Sequence, residues 1–460
     1  ITLMPHDLTA QLQEVARRLI SGGRLGCLKD YRDIRAGVVD ESLAPVKLSK
    51  PQKEEEHKLT GELLEQRIGQ WATHLRATVA LIAAELQLAR AVLPKSHAQG
   101  TWAGVICGTV ENVLATGASL VRSKKNPEKL FALLDMRAHL TEVLPQLMSM
   151  LQGSACEEIR SKFRELLVFM TSTASETFEE FKDAVEQDSS KHEVANGSVH
   201  PLTSYVLSYV KRVFEFKDAL EALFGSRLKD ASTEDKPADA DAVRDTDRQA
   251  ELERLMGSLV KEILQVLLNN LESKADRFKS KALASIFLLN NLHYVVKSVQ
   301  KTPVMASTIG SEWVTVQHGA LQQYKEDYNH HTWAKALEYL SDDMLPRTGG
   351  GNAEDEGWDV KEKQKKVIKE KLGHLNKYLE ELVQVQSLWS IPDASLRAEM
   401  QRDLVMLLIP PYTGFTLRAS NTNFTKKPTK YIKYSKEQVE GMLLQFFENK
   451  AKGWNDPKSK

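Results

Sequence analysis

Residues 256–271, MGSLVKEILQVLLNNL, show the pattern that decides the fold. Apolar residues recur there at spacings of three and four, which places them on one stripe of a helix. They are Met256, Leu259, Val260, Ile263, Leu264, Leu267, Leu268 and Leu271. The same periodicity runs through nearly the whole chain. Alternation typical of a strand is confined to a few residues around Tyr431–Tyr434, so we predict an all-α protein of helical bundles or stacked helix-turn-helix layers.

We expect residues 1–460 to form one continuous series of bundles. Its approximate breaks are predicted near 95–100, 190–200, 226–250 and 346–357. The break at 226–250 is acidic and poor in apolar residues, which is typical of a solvated connector. The break at 346–357 contains three consecutive glycines without Walker or Rossmann spacing, so it is interpreted as a second connector.

Composition excludes several classes of protein. Lys+Arg and Asp+Glu both number 62 in the 460 residues, so overall charge favours neither nucleic acid nor membrane. Three separated cysteines favour free thiols in a reducing compartment. We found no run of about 18 apolar residues and expect no membrane span. The chain starts at Ile1 without an initiator methionine, and we interpret it as a piece trimmed at its N-terminus.

Candidate catalytic or metal-binding residues are few. His330 and His331 are adjacent, so on a helix they point about 100° apart and do not form a joint metal site. No G-x-S-x-G or H-E-x-x-H motif occurs. We therefore expect no enzyme activity, no metal and no cofactor. An unrelated helical enzyme stays open as an alternative, and it would show a deep pocket with perturbed titratable groups.

Local charge is concentrated near the C-terminus. Residues 401–460 contain 11 basic and 5 acidic residues. Five lysines, interleaved with Tyr431, Ile432 and Tyr434, stand close together: Lys426, Lys427, Lys430, Lys433 and Lys436. At about 1 kcal/mol each against an anionic leaflet, they could supply about 5 kcal/mol of reversible membrane binding. A solvated basic rim is the structural alternative. Nucleic acid is not expected, because no recognition helix or aromatic RNA-binding signature is visible.

The helix after this lysine cluster has a clear start signal. Ser435 and Gln438 form a capping box of the S-x-x-Q type. The apolar residues that follow lie on one face of the predicted helix: Val439, Met442, Leu443, Phe446 and Phe447.

Four segments resemble signatures of the seventy-kilodalton subunit of the exocyst complex, and they occur in the same order along the chain. They are DYRDIR at 30–35 followed by DESL at 40–43, GSVHPLTSYV at 197–206, IFLLNNLHY at 286–294 and KYIKYS at 430–435. Residues 126–136, NPEKLFALLDM, further resemble the green-plant branch of that family. We interpret the middle two as fold signatures, in which His200–Pro201 fixes a helix approach. Asn290 and Asn291 would form hydrogen bonds between layers.

The resemblance implies an elongated rod of stacked bundles without enzyme activity. It also implies membership of a complex that tethers secretory vesicles to the plasma membrane in exocytosis, acting in the cytoplasm and at the cytosolic face of that membrane. The implied partners are the other exocyst subunits, Rho-type small GTPases or their adaptors, and phosphatidylinositol 4,5-bisphosphate. The matching lipid-binding positions are Lys430 and Lys433. The family's N-terminal coiled-coil segment would precede Ile1.

Two positions depart from the family pattern. Lys436 stands where relatives often have proline, and Ser204 where many have a basic residue. Independently of these positions, a helical scaffold that binds only proteins, with lysines that contact acidic partners or water, is the alternative to a lipid-binding tether.

Overall fold

The structure is a computed structural model that describes residues 6–48, 59–190, 195–217, 219–220, 241–341 and 358–449. The helices of these residues are α1 (His6–Ser21), α2 (Gly26–Leu43), α3 (Gly61–Val92), α4 (Lys95–Val121), α5 (Lys129–Met150), α6 (Glu157–Glu186), α7 (Pro201–Glu215), α8 (Asp241–Ala275), α9 (Lys281–Lys301), α10 (Pro303–Ile309), α11 (Ser311–Tyr339), α12 (Trp358–Gln386), α13 (Ala394–Asn421) and α14 (Lys436–Leu443). Short 3₁₀ turns occupy Ser154–Cys156 and Pro428–Lys430. The described residues contain no strand, only an isolated bridge between Ser390 and Glu448, so the all-α prediction is confirmed.

The chain divides into two compact units. Unit 1 comprises Ile1–Ala184 and Arg212–Leu252, and unit 2 comprises Val185–Lys211 and Glu253–Lys460. In unit 1, α3 packs against α4 and α5, and α2 packs against α4. In unit 2, α9 packs against α11, and α13 packs against α14. Each unit is therefore a bundle whose helices bury apolar faces against one another.

Two tryptophans fix the packing of α3 against α4 in unit 1. The Trp71 indole N–H donates to the carbonyl oxygen of Val113 at 3.0 Å, and that of Trp102 donates to Ile82 at 2.9 Å. Both rings are fully buried. The Trp71 ring lies over Gly117, where an added Cβ would stand 3.0 Å from the indole nitrogen. Glycine at 117 thus allows the two helices to approach closely.

Helix α8 confirms the pattern at residues 256–271. Met256, Val260, Ile263, Leu264, Leu267 and Leu271 are all buried. The helix begins at Asp241, however, so the last ten residues of the acidic connector predicted at 226–250 are helical. A polar composition is compatible with the first turns of a long helix as well as with a loop. The rest of that connector, and the one predicted at 346–357, fall on residues outside the described part of the chain.

Two helices are long and apolar enough to cross a membrane, although the sequence analysis expected no such segment. They are Lys95–Val121 and Lys281–Lys301, and the described residues are the part of the chain that was searched. Within the protein, 61% and 67% of their apolar windows are buried. Core helices of a bundle show this same combination of length, composition and burial.

Candidate functional site

The predicted lysine cluster lies on the connection between α13 and α14. We call residues 426–436 the basic segment. The connection starts after Asn421, passes through the 3₁₀ turn Pro428–Lys430 and ends at Lys436, the first residue of α14. All five predicted lysines are therefore on one short stretch of chain in unit 2.

Aromatic side chains anchor this connection to the bundle. Phe424 and Tyr434 are each 2% exposed, and the ring centroids of Phe424 and Tyr431 are 5.9 Å apart. The Asn376 amide nitrogen donates to the carbonyl oxygen of Tyr431 at 2.7 Å. The Tyr412 hydroxyl donates to the carbonyl oxygen of Tyr434 at 2.6 Å. Because Tyr431 and Tyr434 are held through their backbone carbonyls and Phe424 is buried just before the segment, the lysines lie on a defined surface.

Four of the five lysines point into solvent. Lys426, Lys427, Lys430 and Lys436 are exposed, and none forms an ion pair with another residue in the described parts of the chain. The Lys430 ammonium lies 5.8 Å from the ring centroid of Tyr431, at the distance of a cation–π contact. These four charges are available to an anionic partner.

Lys433 differs from the other four. It is half-buried and forms an ion pair with Glu380 of α12, which lies 53 residues earlier in the chain. The Tyr434 hydroxyl donates to the same carboxylate oxygen at 2.7 Å. The hydrogen bond to Glu380 raises the pKa of Lys433, and burial raises the pKa of Tyr434. No local pattern distinguishes Glu380 in the sequence, because it is one of many charged residues on α12.

The capping box at the start of α14 is confirmed. The Ser435 hydroxyl accepts a hydrogen bond from the backbone N–H of Gln438 at 3.3 Å, and the Gln438 side chain accepts from the N–H of Ser435 at 2.9 Å. The five apolar residues predicted on its inner face are all buried. The helix ends at Leu443, however, so the prediction that Phe446 and Phe447 belong to it is wrong, and both lie in the turn that follows, where Phe447 has a φ of 65°. The cap therefore fixes the position of Lys436, the first residue of α14.

The first signature forms part of a buried ion pair in unit 1. Arg35 of α2 donates from Nε and Nη2 to the two carboxylate oxygens of Glu85 of α3, whose side chain is 5% exposed. Tyr31 packs beside this pair, and burial together with the charge of Glu85 raises its pKa to about 12. The tyrosine and the second arginine of the signature thus serve packing between helices.

The two middle signatures meet in unit 2 as one hydrogen-bonded layer. The Asn291 side-chain oxygen accepts from the backbone N–H of His200 at 2.9 Å and from the Thr203 hydroxyl at 2.6 Å. Its amide nitrogen donates to the Phe287 carbonyl at 2.7 Å. Helix α7 begins at Pro201, directly after His200. The predicted hydrogen bonds of Asn291 between layers are confirmed, and they give both segments a structural role.

Asn290 joins a third segment to the same layer. Its amide nitrogen donates to the carbonyl oxygens of Gly197 at 2.7 Å and Ser390 at 2.8 Å. Gly197 has a φ of 76°, and a Cβ there would stand 2.9 Å from Leu283 Cδ1. Glycine at 197 is therefore required both by the left-handed backbone and by the contact with α9.

A groove on unit 1 is the cavity most relevant to the enzyme alternative. It has a volume of about 420 Å³ and is lined by Glu111, Leu114, Ala115, Ala118, Lys162, Glu165, Leu166 and Phe169. The hydrogen bond between Lys162 and Glu111 lowers the pKa of the carboxyl and raises that of the amine. Both pKa values thus move away from neutral pH, whereas a group that transfers protons needs a pKa near the working pH. The described residues contain no cluster of three metal-ligating side chains.

Comparison with known proteins gives a consistent result. Residues 69–445 match the family model that describes the C-terminal part of Exo70, a component of the exocyst complex. The chain is 33% identical to the Arabidopsis thaliana exocyst complex component EXO70A1, over 99% of this chain and 68% of that protein. It is 28% identical to Arabidopsis thaliana EXO70A3, over 98% of this chain and 72% of that protein. A solved structure of exocyst subunit Exo70p superimposes with a TM-score of 0.58 at 16% identity, over 96% of this chain and 81% of that chain.

The chain belongs to the Exo70 family of exocyst subunits. The family match covers most of the chain, and the Arabidopsis relatives agree with the plant-type resemblance of residues 126–136. The solved structure shares the all-helical fold.

Proposed function

We propose that this chain acts as a non-catalytic exocyst subunit that tethers secretory vesicles to the plasma membrane, at the cytosolic face of that membrane. Membership of the Exo70 family supports this role, because both Arabidopsis relatives are named as exocyst components. The other exocyst subunits are its expected partners. Rho-type small GTPases or their adaptors are further proposed partners, on the strength of the family resemblance.

The membrane contact that we propose is the basic segment, with phosphatidylinositol 4,5-bisphosphate as its lipid. The supporting observation is that Lys426, Lys427, Lys430 and Lys436 are exposed on an anchored connection. At about 1 kcal/mol per lysine, these four would contribute about 4 kcal/mol against an anionic surface. Lys433 contributes less at first contact, because its charge is already paired with Glu380.

Liposome co-sedimentation tests this proposal. Lys426→Ala with Lys427→Ala should weaken binding to vesicles that contain phosphatidylinositol 4,5-bisphosphate about 30-fold, since two lysines contribute about 2 kcal/mol. The effect should shrink as salt rises, because exposed charges are screened. Lys279→Ala with Lys281→Ala removes the same charge from exposed positions outside the basic segment and serves as the control. Equal loss in both double variants, or none in either, would contradict the proposed contact.

A scaffold that binds only proteins is the second candidate. It is favoured by an apolar stripe on α1, where Leu8, Leu12 and Val15 are 44%, 36% and 53% exposed at helical spacing. Under this alternative, the chain would bind other exocyst components but would not sediment with anionic vesicles at low salt. Replacing the lysines would then alter the binding of those components without any change in lipid binding.

A further inference from the structure

We infer that Glu380 sets the lipid selectivity of the basic segment. The ion pair between Lys433 and Glu380 persists when a headgroup carries a single negative charge. It breaks when a headgroup carries several phosphates, and Lys433 then binds that headgroup. This inference rests on the proposed membrane contact and adds a residue of α12 to it. Glu380 lies outside the lysine cluster in sequence and reaches it only through the fold.

One carboxylate oxygen binds the Lys433 ammonium and a neighbouring hydroxyl. Glu380 Oε1 accepts from both the Lys433 ammonium and the Tyr434 hydroxyl. The Lys433 ammonium also lies 5.2 Å from the ring centroid of Tyr434. The side chains of Lys433 and Glu380 are 37% and 31% exposed, so a ligand in solvent can reach the pair.

Competition between anions gives the selectivity. A headgroup with one negative charge offers Lys433 no more than Glu380 already does, so exchanging one partner for the other gains little. A phosphomonoester carries a charge of about −1.5 to −2 at neutral pH and has three strong acceptor oxygens. Two such groups on one headgroup outcompete a single carboxylate. When Lys433 leaves, the Tyr434 hydroxyl still donates to Glu380, so the carboxylate keeps a hydrogen-bond partner.

The test uses vesicles of neutral lipid that contain either phosphatidylserine or phosphatidylinositol 4,5-bisphosphate, matched for surface charge. Glu380→Gln should raise affinity for the phosphatidylserine vesicles about fivefold, the contribution of one lysine. Affinity for the phosphoinositide vesicles should rise by less, so the selectivity ratio falls. Glutamine still offers an oxygen to Tyr434, and circular dichroism would verify that the variant is folded.

Two further variants separate a specific effect from simple loss of a negative charge. Glu381→Gln removes the same charge from the next residue, whose partner is Lys377 at 3.7 Å, and it should leave selectivity unchanged. Lys433→Met should weaken phosphatidylserine binding about fivefold in the Glu380→Gln background and hardly at all in the native background.

Two results would overturn the inference. Equal effects of Glu380→Gln and Glu381→Gln would show that only net charge matters, while leaving the proposed membrane contact intact. Failure of the native chain to bind phosphoinositide vesicles at all would overturn both the inference and the proposed function.

Discussion

Replacing Asn291 with leucine should destabilise unit 2 strongly. The side chain is fully buried, and its oxygen accepts from the backbone N–H of His200 and the hydroxyl of Thr203. Leucine has the same branching and the same number of side-chain heavy atoms but offers no acceptor, so two buried donors lose their partner. An unsatisfied buried donor costs about 1–3 kcal/mol, which gives about 2–6 kcal/mol for the pair. A typical domain is stable by only about 5–15 kcal/mol, so the change should be large.

Urea unfolding followed by circular dichroism measures this effect, with the transitions of the two units fitted separately. Thr203→Val is the matched variant, because it removes one donor and leaves the Asn291 acceptor occupied by His200. It should cost about 1 kcal/mol alone. In the double variant the leucine leaves one donor unsatisfied instead of two, so the two costs should not add. The reasoning is refuted if Asn291→Leu costs under about 1 kcal/mol, or if the two costs are additive.

Three other predictions concern charged groups. Arg35→Leu leaves the buried Glu85 carboxylate unpaired and should lower the free energy of unfolding by about 3–5 kcal/mol, measured by denaturant titration. Arg35→Lys keeps a positive charge beside Glu85 and should restore part of that free energy. Lys129→Met removes the buried donor to two carbonyl oxygens at the end of α4 and should lower the melting temperature of unit 1; an unchanged value would contradict this role. The hydrogen bond from Lys297 lowers the pKa of Asp393 from 3.8 to about 2. The ionised Asp393 therefore stabilises the folded state above about pH 4, and this contribution is lost as the pH falls towards 2. Asp393→Asn should make the free energy of unfolding less dependent on pH between those values.

Local features of the fold were predictable from sequence because their causes are local. The stripe in α8 follows from side-chain spacing alone; six of its eight predicted residues are buried, and Leu259 and Leu268 are half-buried. The Ser435 cap needs only two residues three positions apart, and both of its hydrogen bonds form. The start of α8 at Asp241 was missed because a polar sequence does not distinguish a solvated helix from a loop.

Long-range pairs were not predictable in the same way. Asn291 and His200 are separated by 91 residues, and Lys433 and Glu380 by 53. Nothing in the local pattern pairs one acid of α12 with one lysine of the basic segment. The sequence therefore identified the lysine cluster but treated its members as equivalent, whereas the structure separates four exposed lysines from the paired Lys433.

A fluorescent probe on the basic segment tests the proposed membrane contact most directly. The half-buried Cys27 and Cys107 are changed to serine, and a polarity-sensitive dye is attached through Thr429→Cys, an exposed position. The control label stands at Ser172, exposed on unit 1. With vesicles that contain phosphatidylinositol 4,5-bisphosphate and a lipid-bound quencher, we predict a blue shift and quenching at 429 that exceed those at 172. Quenching at 172 but not at 429, or bound protein without quenching at 429, would contradict a membrane contact through the basic segment.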